Sequence, residues 1–215
     1  DDFDSTPLNI PVTTPVSGND QYPTGSTVSL PSPTSTNGGT VSCTSATPAS
    51  CTYQPPTGFV GTDTYIYTLC LPAPNQAVCD SAIVTVTVSA SDMAVAITGL
   101  PATAGPGAVL TGTLTCTNTS AGTAALNPTC TAAAGTPAGA TVVVSACSPA
   151  LPVASLAAGA AISCTLTVTM PANAADSNVG PTSVGVNGST SATNDNNPLN
   201  NTTSVSINVI DAVND

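Results

Sequence analysis

The sequence predicts an all-β protein built from two antiparallel β-sandwiches in tandem and stapled by disulfides. Three observations support this prediction. The 215 residues include 37 Thr, 20 Pro and 17 Gly, which favours strands and turns because β-branched residues suit a pleated surface and Pro interrupts helices. Short runs of alternating apolar and polar residues recur along the chain. Eight cysteines divide evenly, four in each half.

The first half contains candidate strands separated by clusters of Pro, Gly and Asn. They are residues 27–30, 40–43, 64–69 and 83–88. In the last of these, Val84, Val86 and Val88 fall on one face and Thr residues on the other, which is typical of a half-buried strand. A short polar segment, residues 89–92, follows this strand. The predicted domains are therefore residues 1–90 and 91–215.

The second half contains a longer series of candidate strands. They are residues 93–97, 109–117, 141–145, 162–170, 183–186 and 204–210. Ile162, Cys164, Leu166, Val168 and Met170 alternate with Ser and Thr, so an apolar face opposes a hydroxyl face. The Ala-rich stretch 156–161 is short and contains Gly159, which predicts a loop before the next strand. Regular strand spacing indicates a sandwich.

The charge composition excludes several classes of function. The chain has no Lys, Arg, His, Glu or Trp, and its 11 Asp residues give a formal net charge of −11. Without cations we expect no binding to nucleic acid. Without His or Lys, the Ser/His/Asp and Cys/His catalytic arrangements cannot form. A pair of Asp carboxylates is the remaining catalytic option, but Asp-Thr-Gly and Asp-Ser-Gly motifs are absent. We therefore predict that the protein is not an enzyme.

The sequence contains no signal peptide and no apolar stretch of about 18 residues. We therefore expect no direct membrane insertion, and we expect the chain to be a mature, processed or excised segment.

The cysteine spacing favours disulfides over a metal site. The shortest separation is eight positions, from Cys43 to Cys51, whereas zinc sites usually use pairs such as Cys-x-x-Cys. Four cysteines in each half allow three pairings, of which we favour the pairing in chain order. The favoured pairs are Cys43–Cys51, Cys70–Cys79, Cys116–Cys130 and Cys147–Cys164. Each would contribute roughly 2–4 kcal/mol, and persistent disulfides predict an extracellular, cell-surface location.

Residues 53–67 carry a motif, Tyr-Gln-Pro-Pro-Thr-Gly-Phe-Val-Gly-Thr-Asp-Thr-Tyr-Ile-Tyr, followed by the Thr/Val strand 83–88. This arrangement resembles the cadherin-like and Ig-like repeats of large secreted bacterial surface proteins. The resemblance covers residues 1–90, implies an Ig-like sandwich, and departs from the pattern where Cys70 and Cys79 bracket an inserted hairpin tip.

The motif also implies roles for its residues. Gly58 and Gly61 would give the corner backbone its freedom, and Asp63 would bond local backbone amides. The aromatic residues that would fill the core are Phe59, Tyr65 and Tyr67.

Four segments of the second half form a second pattern: 92–95, 114–119, 156–160 with its following strand, and 195–202. They resemble the Thr-rich conserved-repeat Ig-like domain of secreted bacterial and archaeal envelope proteins, over residues 92–210. Gly112 stands where that family usually has an aromatic residue in the second strand. Both resemblances imply stalk, matrix or adhesin modules, and neither names a ligand.

We therefore predict a structural repeat or protomer of an extracellular bacterial filament, sheath or stalk, whose partners are copies of itself in a polymer or tandem array. Residues 209–215 resemble the linker that precedes a domain beginning like residues 2–8, which suggests assembly end to end. The alternative is an adhesin module that binds a receptor or glycan through sandwich-end loops, such as residues 71–78 or 119–129.

Two kinds of site are candidates, and Ca²⁺ is the one cofactor considered. A set of oxygen-bearing side chains would meet at a junction between units and could bind Ca²⁺, with a solvated acidic linker as the alternative. The set is Asp1, Asp2, Asp4, Asp211, Asn214 and Asp215. The Asn-rich loop 194–201 is a second candidate, although Asx residues also form turns by bonding their own backbone.

N-glycosylation sequons predict exposed positions for attached sugars. They occur at Asn118, Asn187, Asn200 and Asn201. The abundant Ser and Thr leave O-glycosylation equally open.

Overall fold

The computed structural model describes residues 1–172 and 182–210. The chain divides into two compact units, Asp1–Ala90 and Ser91–Asp215, at the boundary expected from the sequence. The described residues form strands and one turn of 3₁₀ helix, Pro198–Asn200. The all-β prediction is confirmed.

Unit 1 is a sandwich of a four-stranded and a three-stranded sheet. Its strands are β1 (Asp2–Pro7), β2 (Val12–Thr14), β3 (Thr27–Ser29), β4 (Thr40–Cys43), β5 (Cys51–Gln54), β6 (Gly61–Cys70) and β7 (Cys79–Ser89). The strand orders are β1-β7-β6-β3 and β2-β5-β4. β6 and β7 form a long antiparallel hairpin, whereas β1 lies parallel to β7, from the pair Asp2–Val84 to the pair Pro7–Ser89.

The core of unit 1 lies between these sheets and is partly aromatic. Val84, Val86 and Val88 are buried, which confirms the predicted inner face of β7. Tyr53 and Tyr65 stack with their ring centroids 6.2 Å apart. Every aromatic residue of the chain lies in unit 1, so this core combines β-branched side chains with large rings that bury much more surface per residue.

Unit 2 is a sandwich of two four-stranded sheets with a two-stranded sheet beside them. Its strands are β8 (Met93–Thr98), β9 (Thr103–Ala104), β10 (Val109–Asn118), β11 (Ala125–Leu126), β12 (Thr129–Ala134), β13 (Thr141–Ser148), β14 (Ser155–Leu156), β15 (Ala161–Thr169), β16 (Ser183–Ser191) and β17 (Thr202–Val209). The strand orders are β13-β15-β10-β8, β12-β16-β17-β9 and β11-β14.

The core of unit 2 contains no aromatic side chain. The predicted apolar side chains from Ile162 to Met170, in β15 and directly after it, are buried as expected. A Cβ atom at Gly112 would lie 2.7 Å from the Thr98 carbonyl oxygen and 2.9 Å from Leu100 Cγ. The space next to Gly112 is therefore occupied by Leu100, and the position has no room for the aromatic residue usual in the resembling family.

Candidate functional site

The four disulfides occur in chain order, as the sequence analysis favoured. Three of them join neighbouring strands of one sheet: Cys43–Cys51 across β4 and β5, Cys70–Cys79 across β6 and β7, and Cys147–Cys164 across β13 and β15. The fourth differs, because Cys116 lies in β10 of one sheet and Cys130 in β12 of the other. Both are buried, so this bond ties the two layers of unit 2 together.

A buried carboxylate, Asp63, organises the corner of unit 1. Its side chain is 1 % exposed. Oδ1 accepts the backbone N–H groups of Asn37 at 2.9 Å and Thr64 at 2.8 Å. Oδ2 accepts the hydroxyls of Ser35 at 2.5 Å and Tyr53 at 2.8 Å. The predicted bond to a local backbone amide is confirmed at Thr64, whereas the amide of Asn37, which is 26 residues away, and the two hydroxyl donors were not predicted.

These hydrogen bonds set the charge state of Asp63. Burial tends to raise its pKa, but the hydroxyls of Ser35 and Tyr53 and the backbone amides outweigh burial and lower the pKa below the usual 3.8. Burial and the nearby carboxylate raise the pKa of Tyr53 well above its usual range. Tyr53 is thus a fixed donor in β5, and its bond to Asp63 in β6 joins the two sheets.

The glycines of this corner behave as the motif implied. Gly58 has a φ of +78° and Gly61 a φ of +133°, a region that L side chains disfavour. Among the predicted core aromatics, Tyr65 and Tyr67 are buried, and Phe59 packs against the core while remaining partly exposed.

Of the acidic residues of the predicted Ca²⁺ junction, Asp1 and Asp4 accept hydrogen bonds from different partners. Asp1 Oδ1 accepts the N–H of Ile83 at 3.0 Å, and Asp4 Oδ2 accepts the Thr14 hydroxyl at 2.8 Å. Asp2 is buried on the inner face of β1.

The other members of the junction set, Asp211, Asn214 and Asp215, lie outside the described residues. In residues 1–172 and 182–210, no group of three or more His, Cys, Asp or Glu side chains could hold a metal ion. The junction site stays a prediction.

In the Asn-rich loop, the side chain of Asn194 has a structural role. The side chain is fully buried, and its Nδ2 donates to the Ala124 carbonyl at 2.9 Å. Its Oδ1 accepts the Ser91 hydroxyl at 3.0 Å and the Leu126 N–H at 2.9 Å. Asp195 Oδ1 accepts the N–H of Asn197 at 3.1 Å, which is an Asx turn. The turn-forming alternative therefore describes Asn194 and Asp195 Oδ1. Asp195 Oδ2, Asn200 Oδ1 and Asn201 Oδ1 are buried and have no hydrogen-bond partner among the described residues, so Ca²⁺ binding at this loop stays a prediction.

The sequon prediction is wrong at Asn118. This residue is fully buried, and its Nδ2 donates to the carbonyls of Thr123 at 2.9 Å and Leu156 at 3.0 Å. The nitrogen that would carry a sugar is therefore inaccessible and bonded. Asn187 is exposed, while Asn200 and Asn201 are partly buried, and glycosylation at these three stays a prediction.

The two sandwich-end loops proposed for binding differ in exposure. Residues 73–78 are exposed, Val78 to 58 %, and the Cys70–Cys79 disulfide closes the base of the loop. In residues 119–129, by contrast, Ala125 is fully buried and β11 pairs with β14. Residues 73–78 are therefore the more accessible of the two loops.

A pocket of about 260 Å³ in unit 1 contains Asp20, Asp80 and Tyr67. The Tyr67 hydroxyl lies 2.7 Å from the Val16 carbonyl oxygen and 2.9 Å from Asp20 Oδ2, and it can donate to either. Burial first, then the Asp20 and Asp2 carboxylates, raise its pKa far above the usual value. Tyr67 is thus a permanent hydrogen-bond donor at neutral pH, which suits holding the segment 16–20 in place and does not suit proton abstraction.

Comparison with known proteins gives a family match for the first unit. Residues 1–88 match the family described as bacterial Ig domain, which confirms the Ig-like repeat resemblance of residues 1–90. No curated protein matches the chain at a significant level.

Three solved structures match the chain at low identity and low TM-score. S-layer protein SbsC domains 4 and 5 is 15 % identical with a TM-score of 0.38, and the match covers 89 % of this chain and 74 % of that one. Yersinia pseudotuberculosis adhesin InvE is 13 % identical, with a TM-score of 0.29 and coverages of 96 % and 56 %. Zebrafish RET cadherin-like domains 1 to 4 is 12 % identical, with a TM-score of 0.28 and coverages of 93 % and 41 %.

The stretches 1–172 and 182–210 contain no helix with the length and apolar character needed to cross a bilayer.

Proposed function

Because residues 1–88 match the family described as bacterial Ig domain, we propose that the chain is a non-enzymatic structural module of an extracellular bacterial filament, sheath or stalk. The observation that carries this proposal is the pairing of the first and last strands of unit 1. β1 and β7 lie side by side and parallel over six residue pairs.

This pairing determines how unit 1 responds to tension. A pull along the chain enters at the amino end of β1 and leaves at the carboxyl end of β7, which lie at opposite ends of the parallel pair. The hydrogen bonds between the strands are then loaded together in shear. In an antiparallel hairpin pulled from its open end, by contrast, the bonds break one after another. Unit 1 is therefore arranged to transmit force along the chain.

The disulfides support the same role. Cys70 and Cys79 lock the β6–β7 hairpin at its tip, and Cys116–Cys130 joins the layers of unit 2. Such bonds restrict the unfolded chain and persist in an oxidising environment outside the cell.

The proposed partners are copies of the chain, arranged end to end. No Lys or Arg is available for a salt bridge between copies, so the contacts must rest on apolar burial and backbone pairing. β1 is an edge strand, and its residue Phe3 is 77 % exposed. Unpaired strand edges invite pairing with another chain.

Single-molecule stretching of the full chain tests the mechanical proposal. One pair of handles is attached at residues 1 and 90, which loads β1 against β7 in shear. A second pair, at residues 58 and 90, unzips the β6–β7 hairpin from its open end. We expect the shear geometry to unfold unit 1 at clearly higher force. Equal or lower force in the shear geometry would contradict the proposal.

The second candidate function is an adhesin module, which the exposed loop 73–78 favours. The Cys70–Cys79 disulfide fixes the base of this loop, and Val78 is exposed beside it. A glycan array probed with the purified chain discriminates the two functions. Retention that disappears when residues 73–78 are replaced by a Gly-Ser linker would favour the adhesin, and an absence of retention favours the structural module.

A further inference from the structure

The four sequons of the chain differ in how accessible their asparagine side chains are. Asn118 is fully buried, and its Nδ2 donates to two carbonyl oxygens. Asn200 Nδ2 donates to Asp92 Oδ1 at 2.9 Å, and the Oδ1 atoms of Asn200 and Asn201 are both buried. Asn187, by contrast, is exposed. Because a sugar is bulky and is attached through Nδ2, the fold favours Asn187 over the other three sequons.

Asn187 lies on the outer face of the sheet β12-β16-β17-β9, in the strand β16. Its chain neighbours Val186 and Gly188 are buried on the opposite, inner face. The residues directly across from it are Ala133 in β12 and Ser204 in β17. Both are small and exposed, so no large side chain stands beside the Asn187 amide on either neighbouring strand.

Gly135 makes room for the Asn187 side chain. A Cβ atom at this position would lie 2.6 Å from Asn187 Oδ1, 2.9 Å from Cγ and 3.0 Å from Nδ2. Carbon atoms in favourable contact are about 3.5–4.0 Å apart, so any residue other than glycine would displace the amide. The amide of Asn187 therefore packs on the bare backbone of Gly135 and has a defined position on the surface.

A groove of about 460 Å³ lies beside Asn187. Its lining contains hydroxyl groups and an amide, and no charged or large apolar side chain. The lining residues are Asn187, Gly188, Ser189, Thr202, Thr203 and Ser204. Hydroxyl groups both donate and accept hydrogen bonds, which suits them to the hydroxyls of a sugar. The volume falls within the range of about 300–1,000 Å³ that is usual for small-molecule sites.

Ser189, the third residue of the sequon, lies on the same face as Asn187, because alternate residues of a strand share a face. Its hydroxyl pairs with the Thr131 hydroxyl at 2.8 Å on this outer face. The two residues that define the acceptor pattern, the asparagine and the hydroxyl residue two positions later, therefore both lie on the outside of the sheet.

We propose that Asn187 carries an N-linked sugar whose first ring lies in this groove. The donor is a sugar linked to a lipid diphosphate, and a glycosyltransferase outside the chain catalyses the transfer. A bond forms between Asn187 Nδ2 and C1 of the sugar, the bond between C1 and the diphosphate breaks, and Nδ2 loses one proton to the enzyme. The modification requires an extracellular location and does not require filament assembly, so it is independent of the proposed function.

Mass spectrometry of the chain isolated from its native host tests this site. The chain contains no Lys or Arg, so the denatured protein is cut with a protease that cleaves before Asp. We expect an N-linked sugar on the fragment that contains Asn187 and on neither of the other two fragments that contain sequons. The three fragments are 92–175 with Asn118, 176–194 with Asn187, and 195–210 with Asn200 and Asn201.

Variants expressed in the same host distinguish an N-linked sugar from one on a hydroxyl. Asn187→Gln and Ser189→Ala both destroy the sequon and should return fragment 176–194 to its polypeptide mass. Ser189→Thr keeps the sequon and should keep the sugar. The matched control Ser204→Ala removes a groove hydroxyl outside the sequon and should also keep the sugar. Calorimetry of unit 2 shows whether each variant folds, and Ser189→Ala is the second test if Asn187→Gln does not.

Three results would overturn the proposal. Fragment 176–194 of the native protein at its polypeptide mass would show that Asn187 carries no sugar. A sugar that persists in Asn187→Gln or Ser189→Ala would lie on a hydroxyl instead. An N-linked sugar on Asn118 would show that exposure in the folded chain does not select the modified sequon.

Discussion

Replacing Asp63 by Asn is the sharpest perturbation of unit 1. Asn retains one acceptor oxygen, which can face the N–H groups of Asn37 and Thr64, but it places an NH₂ group against two hydroxyl donors. Tyr53 then loses its acceptor inside the protein. A hydrogen bond to a charged group contributes about 1.5–3 kcal/mol. A neutral Asn is less unfavourable to bury than a carboxylate, which offsets part of the loss of two such bonds. We therefore expect Asp63→Asn to lower the free energy of unfolding by about 2–4 kcal/mol.

The loss of stability caused by Asp63→Asn should depend on pH. The folded-state pKa of Asp63 is lowered below 3.8, so its ionised form stabilises the fold. This contribution is fully present above the unfolded-state pKa of about 3.9 and is lost as the pH falls through the folded value. The stability gap between wild type and Asp63→Asn should therefore be widest near pH 7 and narrow below about pH 4.

Urea unfolding followed by tyrosine fluorescence measures this gap, because all four tyrosines lie in unit 1. Tyr53→Phe should cost about 1.5–3 kcal/mol, since it removes one bond to the carboxylate. The control Tyr22→Phe loses only a hydrogen bond of 3.4 Å to Ser17 and should cost less than about 1 kcal/mol. A gap for Asp63→Asn below about 0.5 kcal/mol at pH 7, or one unchanged down to pH 3, would refute the reasoning.

Three further predictions concern unit 2, and calorimetry of its transition checks them. Gly112→Ala should destabilise it by about 1–3 kcal/mol, because the new Cβ would clash with Thr98 and Leu100, whereas Gly122→Ala, with nothing within 4 Å, should be near neutral. Asn118→Ala should cost about 2–4 kcal/mol, and unchanged stability would show that its buried amide bonds are unimportant. Replacing both Cys116 and Cys130 by Ala should lower the free energy of unfolding by about 3 kcal/mol or more. If replacing Cys147 and Cys164 lowers it by as much, the disulfide between the two sheets has no special role in stability.

The long strand β15, with its regular apolar alternation, could be predicted from the sequence, and β1, with its polar inner face, could not. β15 shows a regular apolar face, and the structure buries it. β1 was missed because its inner face carries Asp2, Asp4 and Thr6, so periodicity had no apolar signal to detect. Its strand state depends on pairing with β7, which lies about eighty residues further along the chain.

The candidate sites show the same division between local and distant contacts. The turn motif predicted the hydrogen bond from the adjacent Thr64 amide to Asp63, because that partner is set by the local backbone. Ser35 lies 28 residues away and reaches the carboxylate only through the packing of the two sheets. The sequon at Asn118 is likewise a local pattern, and its burial by the loop and β14 is set by tertiary structure.

Electron microscopy of the protein in its native surroundings, labelled with an antibody against unit 1, shows whether the chain is part of an extracellular assembly. If the chain is a structural module, label should lie at regular intervals along continuous extracellular filaments, sheaths or stalks, because each module would lie in line with its neighbours. Label on isolated molecules scattered over the cell surface, with no continuous assembly beneath it, would contradict the account.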